Sequence, residues 1–347
     1  MMSQPIKTAV IGYGYSAKTF HIPFLESLPQ FQFCAISSRQ QDVIAAQYPA
    51  VTCYESADRL IEQSDAELVI ITAPNDVHFS LAKMALEHGK HVVVEKPFVT
   101  RVSDGETLIR IAQEKQLMLS VYHNRRWDND FLTVKKLLAD GKLGDVKWFE
   151  SHIDRYRPEV RVRWRESADV EGAGILYDLA PHLIDQVLEL FGAPDALTAQ
   201  CRSMRQADGA TDFFNLLLHY PTFLVQLHAN PYSPGDNLRY KILGTKAKYI
   251  KMGLDPQESW LKTNGCIEKQ QQCQEFEKNQ GQLSTEAHVE PIPNEQGGYE
   301  HYFVQLANSI RQGTPPPVTA HEALNSIRLI ELALKSSDSG QTLKVDL

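Results

Sequence analysis

The sequence predicts an α/β domain followed by an α+β domain: a doubly wound parallel sheet first, then a domain with a large, mostly antiparallel sheet. Three observations carry this. Up to residue 122, short apolar runs alternate with amphipathic helical stretches, the rhythm of a parallel sheet covered on both faces. A glycine-spaced turn follows the first of these runs. From residue 146 the pattern changes to successive strand candidates, several with two-residue alternation. With 347 residues, 43% of them hydrophobic, the chain has enough apolar surface for two cores.

Residues 6–11 form the first β-prone run, and Gly12-Tyr13-Gly14-Tyr15-Ser16-Ala17 follows, with a helix expected from about residue 16. This is G-x-G-x-x-A, a Rossmann turn with Ala at the third small position. Gly12 permits the tight turn, and Gly14 lets a pyrophosphate approach backbone N–H groups at a helix start. The next run, 31–36, ends in Ser37-Ser38-Arg39, where an NAD-specific turn would carry Asp or Glu for the ribose 2′-hydroxyl. The first acid is Asp42, expected inside the following helix. Two hydroxyls and a guanidinium suit a 2′-phosphate, so NADP(H) is preferred and NAD(H) stays open. The plainer reading is a solvent-exposed arginine.

Residues 68–72 form a buried-type strand ending in Ala73-Pro74-Asn75-Asp76-Val77-His78, and a helix over 77–88 stops at Gly89. The strand 91–95 then runs into Glu95-Lys96-Pro97. A β-branched run ending in a carboxylate, an amine and a proline delivers charge to the carboxyl edge of the sheet, where such folds hold ligands. Pro97 keeps Lys96 out of the helical region and permits a cis bond. A surface Glu-Lys pair is the plainer reading. A helix over 103–114, with Ser103 as N-cap and Glu106 completing the cap, and a strand over 117–122 close the first domain. The expected division is 1–122, dinucleotide-binding, and 123–347, substrate-binding and oligomerising.

The second domain opens on His123-Asn124-Arg125-Arg126-Trp127-Asp128, with a helix over 129–140 stopped by Gly141. Strands are expected at 146–156, 198–204, 211–220, 223–229 and 239–243. Between the first two lies a glycine-rich run, Gly172-Ala173-Gly174, leading to Asp178 and His182. Four residues apart, these share one helical face, and Pro181 in a first turn would put the helix start near Asp178. A carboxylate there orients an imidazole and supports its charged form, as a proton donor near neutral pH requires. A capping Asp beside a core His is the plainer reading. Arg155 and Arg157 alternate with Tyr156, so a strand would turn only one side of this trio to a site. The stretch 270–282, rich in Gln, Glu and Lys, reads as a solvated loop. Helices are expected at 299–311 and 321–335, around Gly313-Thr314-Pro315-Pro316-Pro317.

A dinucleotide turn, a charged strand end and a downstream Asp-His pair form the inventory of a nicotinamide oxidoreductase. On these motifs the chain resembles the Gfo/Idh/MocA oxidoreductase family over its whole length. The stretches 122–128, 155–160 and 163–166 look closer to the branch of NADP-dependent scyllo-inositol 2-dehydrogenases. The resemblance implies that Lys96, Asp178 and His182 form the catalytic group, with His182 exchanging a proton and Lys96 binding the substrate oxygen. It implies cofactor contacts from residues 12–17, Ser37, Ser38, Arg39, Ala73, Pro74, Asn75, His78, Glu95 and Lys96. Asn124, Arg125, Trp127, Tyr156, Arg163, Trp164 and His182 become substrate-binding candidates, and their types suit a polyol. Hydride transfer between NADP(H) and a cyclic polyol or its ketone, with scyllo-inositol and scyllo-inosose leading, is the implied activity. Reduction of another sugar-derived carbonyl is the rival, and a nucleotide-binding sensor without turnover the alternative from another class. A homodimer or homotetramer is implied.

A net charge of −8 and a pI near 5.9 argue against nucleic acid as a partner. The five cysteines contain no C-x-x-C pair, and no metal-ligating cluster is read from the sequence. No apolar stretch approaches the roughly 20 residues that span a bilayer. A cytoplasmic protein is the expectation.

Overall fold

The computed structural model describes residues 4–161, 166–265 and 279–347. They form two compact units: residues 4–124, 257–265 and 299–324 in the first, residues 125–161, 166–256, 279–298 and 325–347 in the second. The chain first leaves the first unit after Asn124 and rejoins it twice, so a linear division at 122/123 describes only the first crossing.

In the first unit, β1 (Ile6–Ile11), β2 (Phe31–Ser37), β3 (Thr52–Tyr54), β4 (Leu68–Ile71), β5 (His91–Glu95) and β6 (Leu119–Tyr122) form one sheet of order β3-β2-β1-β4-β5-β6. All five pairings are parallel. The order reverses between β1 and β4, the switch point at which doubly wound sheets bind dinucleotides. Every residue of β4, and Val92, Val93 and Val94 of β5, is fully buried, which explains their unbroken apolar runs. Helices α1 (Ile22–Ser27), α2 (Gln41–Gln47), α3 (Ala57–Gln63), α4 (His78–Glu87) and α5 (Val102–Glu114) alternate with the strands. Ser103 is not the N-cap of α5. Arg101 holds that position without a side-chain cap bond, and Ser103 lies inside the first turn. Gly105, in the same turn, packs closely against Phe98, Val99 and Leu324.

The second unit is built on β7 (Val146–His152), β8 (Ala196–Arg202), β9 (Phe213–His219), β10 (Leu224–Ala229), β11 (Leu238–Gly244), β12 (Lys248–Met252), β13 (Gly281–Ser284), β14 (Val289–Ile292) and β15 (Leu343–Lys344), in the order β14-β13-β12-β11-β7-β10-β9-β8-β15. Only β7–β10 is parallel; the other pairings are antiparallel. Phe149, Val225, Leu227, Leu216, Leu218 and Ile242 alternate inward and are fully buried. Helices α6 (Asn129–Ala139) and α7 (Gly174–Phe191) belong to this unit, with Phe191 edge-on to Phe149 at 5.3 Å between centroids. Helix α8 (Gln257–Asn264) and α9 (Glu300–Gln312) return to the first unit. There Phe303 of α9 stacks on Phe24 at 4.9 Å, and Tyr302 packs edge-on to Tyr122 at 4.8 Å. The division between the units falls within α10 (Ala320–Ser339). Of the polar stretch 270–282, Gly281 and Gln282 open β13, and 270–278 lie outside the described residues.

Helix α7 starts at Gly174, not near Asp178, and Pro181 lies inside it. Gly174 adopts φ +86°, and a Cβ there would meet the Thr211 carbonyl oxygen at 2.5 Å. The adjacent Ile175 N–H donates to that same oxygen at 2.7 Å. Glycine therefore permits the turn that starts the helix early, and both Asp178 and His182 fall within it.

At the centre of this unit Arg239 is fully buried, donating to Asp130 Oδ2 at 3.1 Å, Ser151 Oγ at 2.7 Å and Gln186 Oε1 at 2.7 Å. Removing one partner of a buried ion pair strands the other. Arg239→Ala is expected to destabilise the fold by about 3–5 kcal/mol, read from the urea unfolding transition. Arg239→Lys should recover little, because an ammonium lacks the planar fork that meets three acceptors.

Candidate active site

The turn after β1 carries the first group of candidates. Gly12 adopts φ +97°, its N–H donates to Ser37 O at 3.1 Å, and a Cβ there would meet Thr72 Oγ1 at 3.0 Å. Glycine is therefore needed for both conformation and approach. At Gly14 the reverse holds: a Cβ would meet no protein atom within 4 Å. That open space, beside a helix start, fits the backbone approach a pyrophosphate needs. Ala17 is fully buried, as the third small position should be. Residues Ala17–His21 form a π-helix before α1. Tyr13 is buried, with its hydroxyl donating to Gln47 Oε1 at 2.6 Å; Tyr15 is exposed, with its hydroxyl 3.0 Å from Glu258 Oε1.

At the end of β2, Ser37 is buried, Ser38 Oγ accepts from the Gln40 N–H at 3.0 Å, and Arg39 is exposed. Asp42 lies inside α2, so no carboxylate occupies the strand end.

Glu95 closes β5, and the Lys96–Pro97 peptide bond is cis. The Glu95 carboxylate is buried, 2.8 Å from His21 Nε2, and also accepts from the Ser16 hydroxyl. Its other oxygen accepts from the Lys96 N–H at 3.1 Å. Burial pushes this carboxyl up, but the hydrogen bond and charge of His21, with Ser16 and Lys96, bring it below its ordinary value. His21 was not among the residues singled out from sequence. It lies 74 positions from its partner, and the only local signal is an imidazole just past the glycine turn.

His78 is buried, with Nδ1 2.8 Å from Pro97 O and Nε2 3.0 Å from Ala73 O. Burial, opposed by these carbonyls, holds its pKa below the ordinary value. The ring thus lies between two candidate turns, and its tautomer sets which of the two carbonyls accepts its N–H. Asn75, also buried, starts the 3₁₀ turn Asn75–Val77 that Pro74 precedes.

In the second unit Asp178 and His182 are one helical turn apart on α7, with His182 the more buried. Arg155 Nη1 lies 3.9 Å from Asp178 Oδ2, and both residues line a cavity of about 120 Å³ with Arg157, Glu166 and Arg205. Tyr156 is 62% exposed and bridges Tyr232, so the alternation turns the two arginines, not the tyrosine, to this cavity. Arg125 is buried against Asp128 at 3.1 Å, and its carbonyl accepts from Gln186 Nε2 at 2.7 Å, a bracing arrangement. Asn124, buried, and Trp127, half-buried, bound the 3₁₀ turn Asn124–Trp127. Arg163 and Trp164 lie outside the described residues.

Two family models match the chain: the Gfo/Idh/MocA oxidoreductase family NAD-binding Rossmann fold over residues 6–123, and that family's C-terminal alpha/beta domain over residues 135–347. The chain belongs to the Gfo/Idh/MocA oxidoreductase family. Among its relatives, the uncharacterized oxidoreductase YdgJ of Escherichia coli is 40% identical, covering 99% of each chain. The scyllo-inositol 2-dehydrogenase (NADP(+)) IolW of Bacillus subtilis is 39% identical over 98% of this chain and 96% of its own. Of solved structures, the oxidoreductase YvaA of Bacillus subtilis superposes with a TM-score of 0.93 at 38% identity, covering 99% of both chains. The YPO2259 oxidoreductase of Yersinia pestis gives 0.92 at 39%, covering 100% of this chain and 99% of its own. For a Gfo/Idh/MocA protein, the switch-point turns of the first unit supply a nicotinamide dinucleotide site, and the residues there fit one. No described helix is long and apolar enough to cross a membrane.

The pH dependence of Glu95 follows from its depressed pKa. Its contribution to stability is complete above the ordinary value of 4.5 and is lost as pH falls through the lower folded value. Glu95→Gln is expected to flatten this part of the acid limb in a stability-versus-pH series; an unchanged limb would show that the His21 contact adds nothing.

Proposed function

We propose that this protein transfers hydride reversibly between NADP(H) and a cyclic polyol or its ketone, with scyllo-inositol and scyllo-inosose as the substrate pair. The near full-length similarity to an enzyme named for that reaction carries the reading. The absence of an acid at the end of β2, with Arg39 exposed there, supports the choice of NADP. When bound, the nicotinamide accepts or supplies the hydride.

The chain's own residues do the rest. The open backbone at Gly14 binds the pyrophosphate, and Ser38 and Arg39 bind the 2′-phosphate. In oxidation His182 takes the hydroxyl proton of the substrate, and in reduction it returns that proton to the new alkoxide oxygen. Lys96 donates a hydrogen bond to this oxygen and stabilises negative charge as it develops. Asp178 supports the imidazolium, and Arg155 beside it supplies donors for further hydroxyls. Self-association as a dimer or tetramer belongs to the same reading, and light scattering on the purified chain measures it.

Initial rates of cofactor reduction with scyllo-inositol, run with NADP and NAD in parallel and with myo-inositol for comparison, test the reaction. A clear rate with NADP and scyllo-inositol is expected. Silence with every inositol alongside tight NADPH binding would move the substrate to another sugar-derived carbonyl. His182→Ala and Lys96→Ala should each lower kcat by roughly 10²–10⁴-fold with NADPH binding left largely intact. Equal loss of turnover and binding would sink the roles. Arg39→Ala is expected to weaken NADPH by roughly 10–100-fold while NADH binding changes little.

A further inference from the structure

Away from the residues assigned above, the second sheet carries a cluster that sequence spacing does not announce. His152 closes β7, Asp154 follows it by two residues, and His228 of β10 is the direct partner of His152 in the parallel pairing. The carboxylate lies between the two rings: Oδ2 is 3.3 Å from His152 Nδ1, and Oδ1 is 2.9 Å from His228 Nδ1. The ring centroids are 5.0 Å apart, and one ligand atom from each residue lies within 4.8 Å of the other two. Side-chain exposures of 12%, 9% and 16% leave the cluster sheltered yet reachable by water.

An acid bridging two imidazoles is often only a hydrogen-bonded brace. Two features go further. The acid is preset: its own N–H donates to Asn237 Oδ1 at 2.6 Å, and Oδ1 also accepts from the Asn230 N–H at 3.0 Å, so Oδ2 is the less committed oxygen. Behind His152 stands a second carboxylate, Glu150, with Oε2 3.5 Å from Nε2. Lys241 Nζ, at 2.8 Å, and the Trp148 indole N–H hold Glu150 by its other oxygen. Metal-bound imidazoles characteristically donate their remote N–H to such a carboxylate.

We infer that His152 Nδ1, His228 Nδ1 and Asp154 Oδ2 form a site for one divalent transition-metal ion of the zinc and cobalt class. Two imidazoles and one carboxylate select that class over magnesium or calcium, and water completes the coordination. In the tautomer that binds the ion, Nδ1 is the ligand atom and the ring hydrogen sits on Nε2. For His152 that N–H faces Glu150. The bound ion staples the ends of β7 and β10, whose parallel pairing is the only one of its kind in this sheet among the described residues.

The test is titration of the purified full chain, freed of metal by chelation and dialysis, with Co²⁺ and then Zn²⁺. One Co²⁺ per chain is expected, with visible absorption of a nitrogen- and oxygen-ligated site that Zn²⁺ abolishes, and Tm raised by roughly 5 °C under excess Zn²⁺. His228→Phe, which keeps a ring against Phe213, and Asp154→Asn should each remove the absorption and the Tm rise while far-UV circular dichroism stays unchanged. Glu150→Gln should keep the spectrum and weaken binding roughly 10–100-fold. No stoichiometric Co²⁺ in the natural chain, or the same spectrum in His228→Phe, would overturn the assignment.

Discussion

Burial of the Arg239 guanidinium is the constraint on which the second unit depends. Taking a fixed positive charge out of water costs several kcal/mol unless every donor finds an acceptor. Here the acceptors come from α6 through Asp130, from β7 through Ser151 and from α7 through Gln186, while the Tyr240 ring lies 4.2 Å beneath the charge. Gln186 is also held by the Tyr240 hydroxyl at 3.0 Å. It stands one helical turn beyond His182, so the pin that satisfies Arg239 also fixes the rotation of the helix carrying Asp178 and His182. Arg126 adds a bidentate clamp on the preceding residue, Asp185, at 2.8 and 2.7 Å. Such polar pins matter in a helix with an internal proline, where one backbone hydrogen bond is missing.

The first unit solves a different problem. Its strands are held by apolar burial, which is strong but not directional. The turns at their carboxyl edges need direction, and buried polar contacts provide it. His21 and Ser16 converge on Glu95, tying the helix after the glycine turn to the end of β5. His78 joins Ala73 to Pro97, tying the turn after β4 to the residues after β5. Lys96 therefore leaves a strand end whose neighbours are fixed on both sides. Both imidazoles serve as struts beneath the edge, where changes would be felt in the cofactor turns without touching a cofactor.

The parts legible in the sequence are those whose signal is local. Buried parallel strands read as unbroken β-branched runs, the glycine turn has short-range steric causes, and Asp178 and His182 share a helix because four residues make one turn. What was missed depends on chain segments far apart. The polar partners of Glu95 and Arg239 are distant in sequence, and His152 meets His228 only through strand pairing. Pro181, a local first-turn signal, points to a start of α7 near Asp178, whereas Gly174 and the Thr211 carbonyl decide it. The expected Ser103 cap is likewise displaced: Arg101 is the N-cap and Ser103 lies inside the helix. Among candidate site residues, Arg125, paired with Asp128, and His78, set between two carbonyls, show that a polar side chain near a site can serve to brace it.

Strand β7 draws these threads together, because both of its faces carry specific polar chemistry. Phe149 and Ser151 point inward, one to the apolar core and the other to Arg239. Glu150 and His152 point the other way, toward Lys241, Asp154 and His228. A slip of one residue would exchange the two sets, driving a carboxylate and an imidazole into the apolar core and stripping Arg239 of its Ser151 acceptor. Apolar alternation alone penalises such a slip weakly over a strand this short. The buried guanidinium on one side and the acid-imidazole cluster on the other penalise it twice. The register of the central strand, and with it the seat of α7, is thus specified by polar groups rather than by hydrophobic pattern.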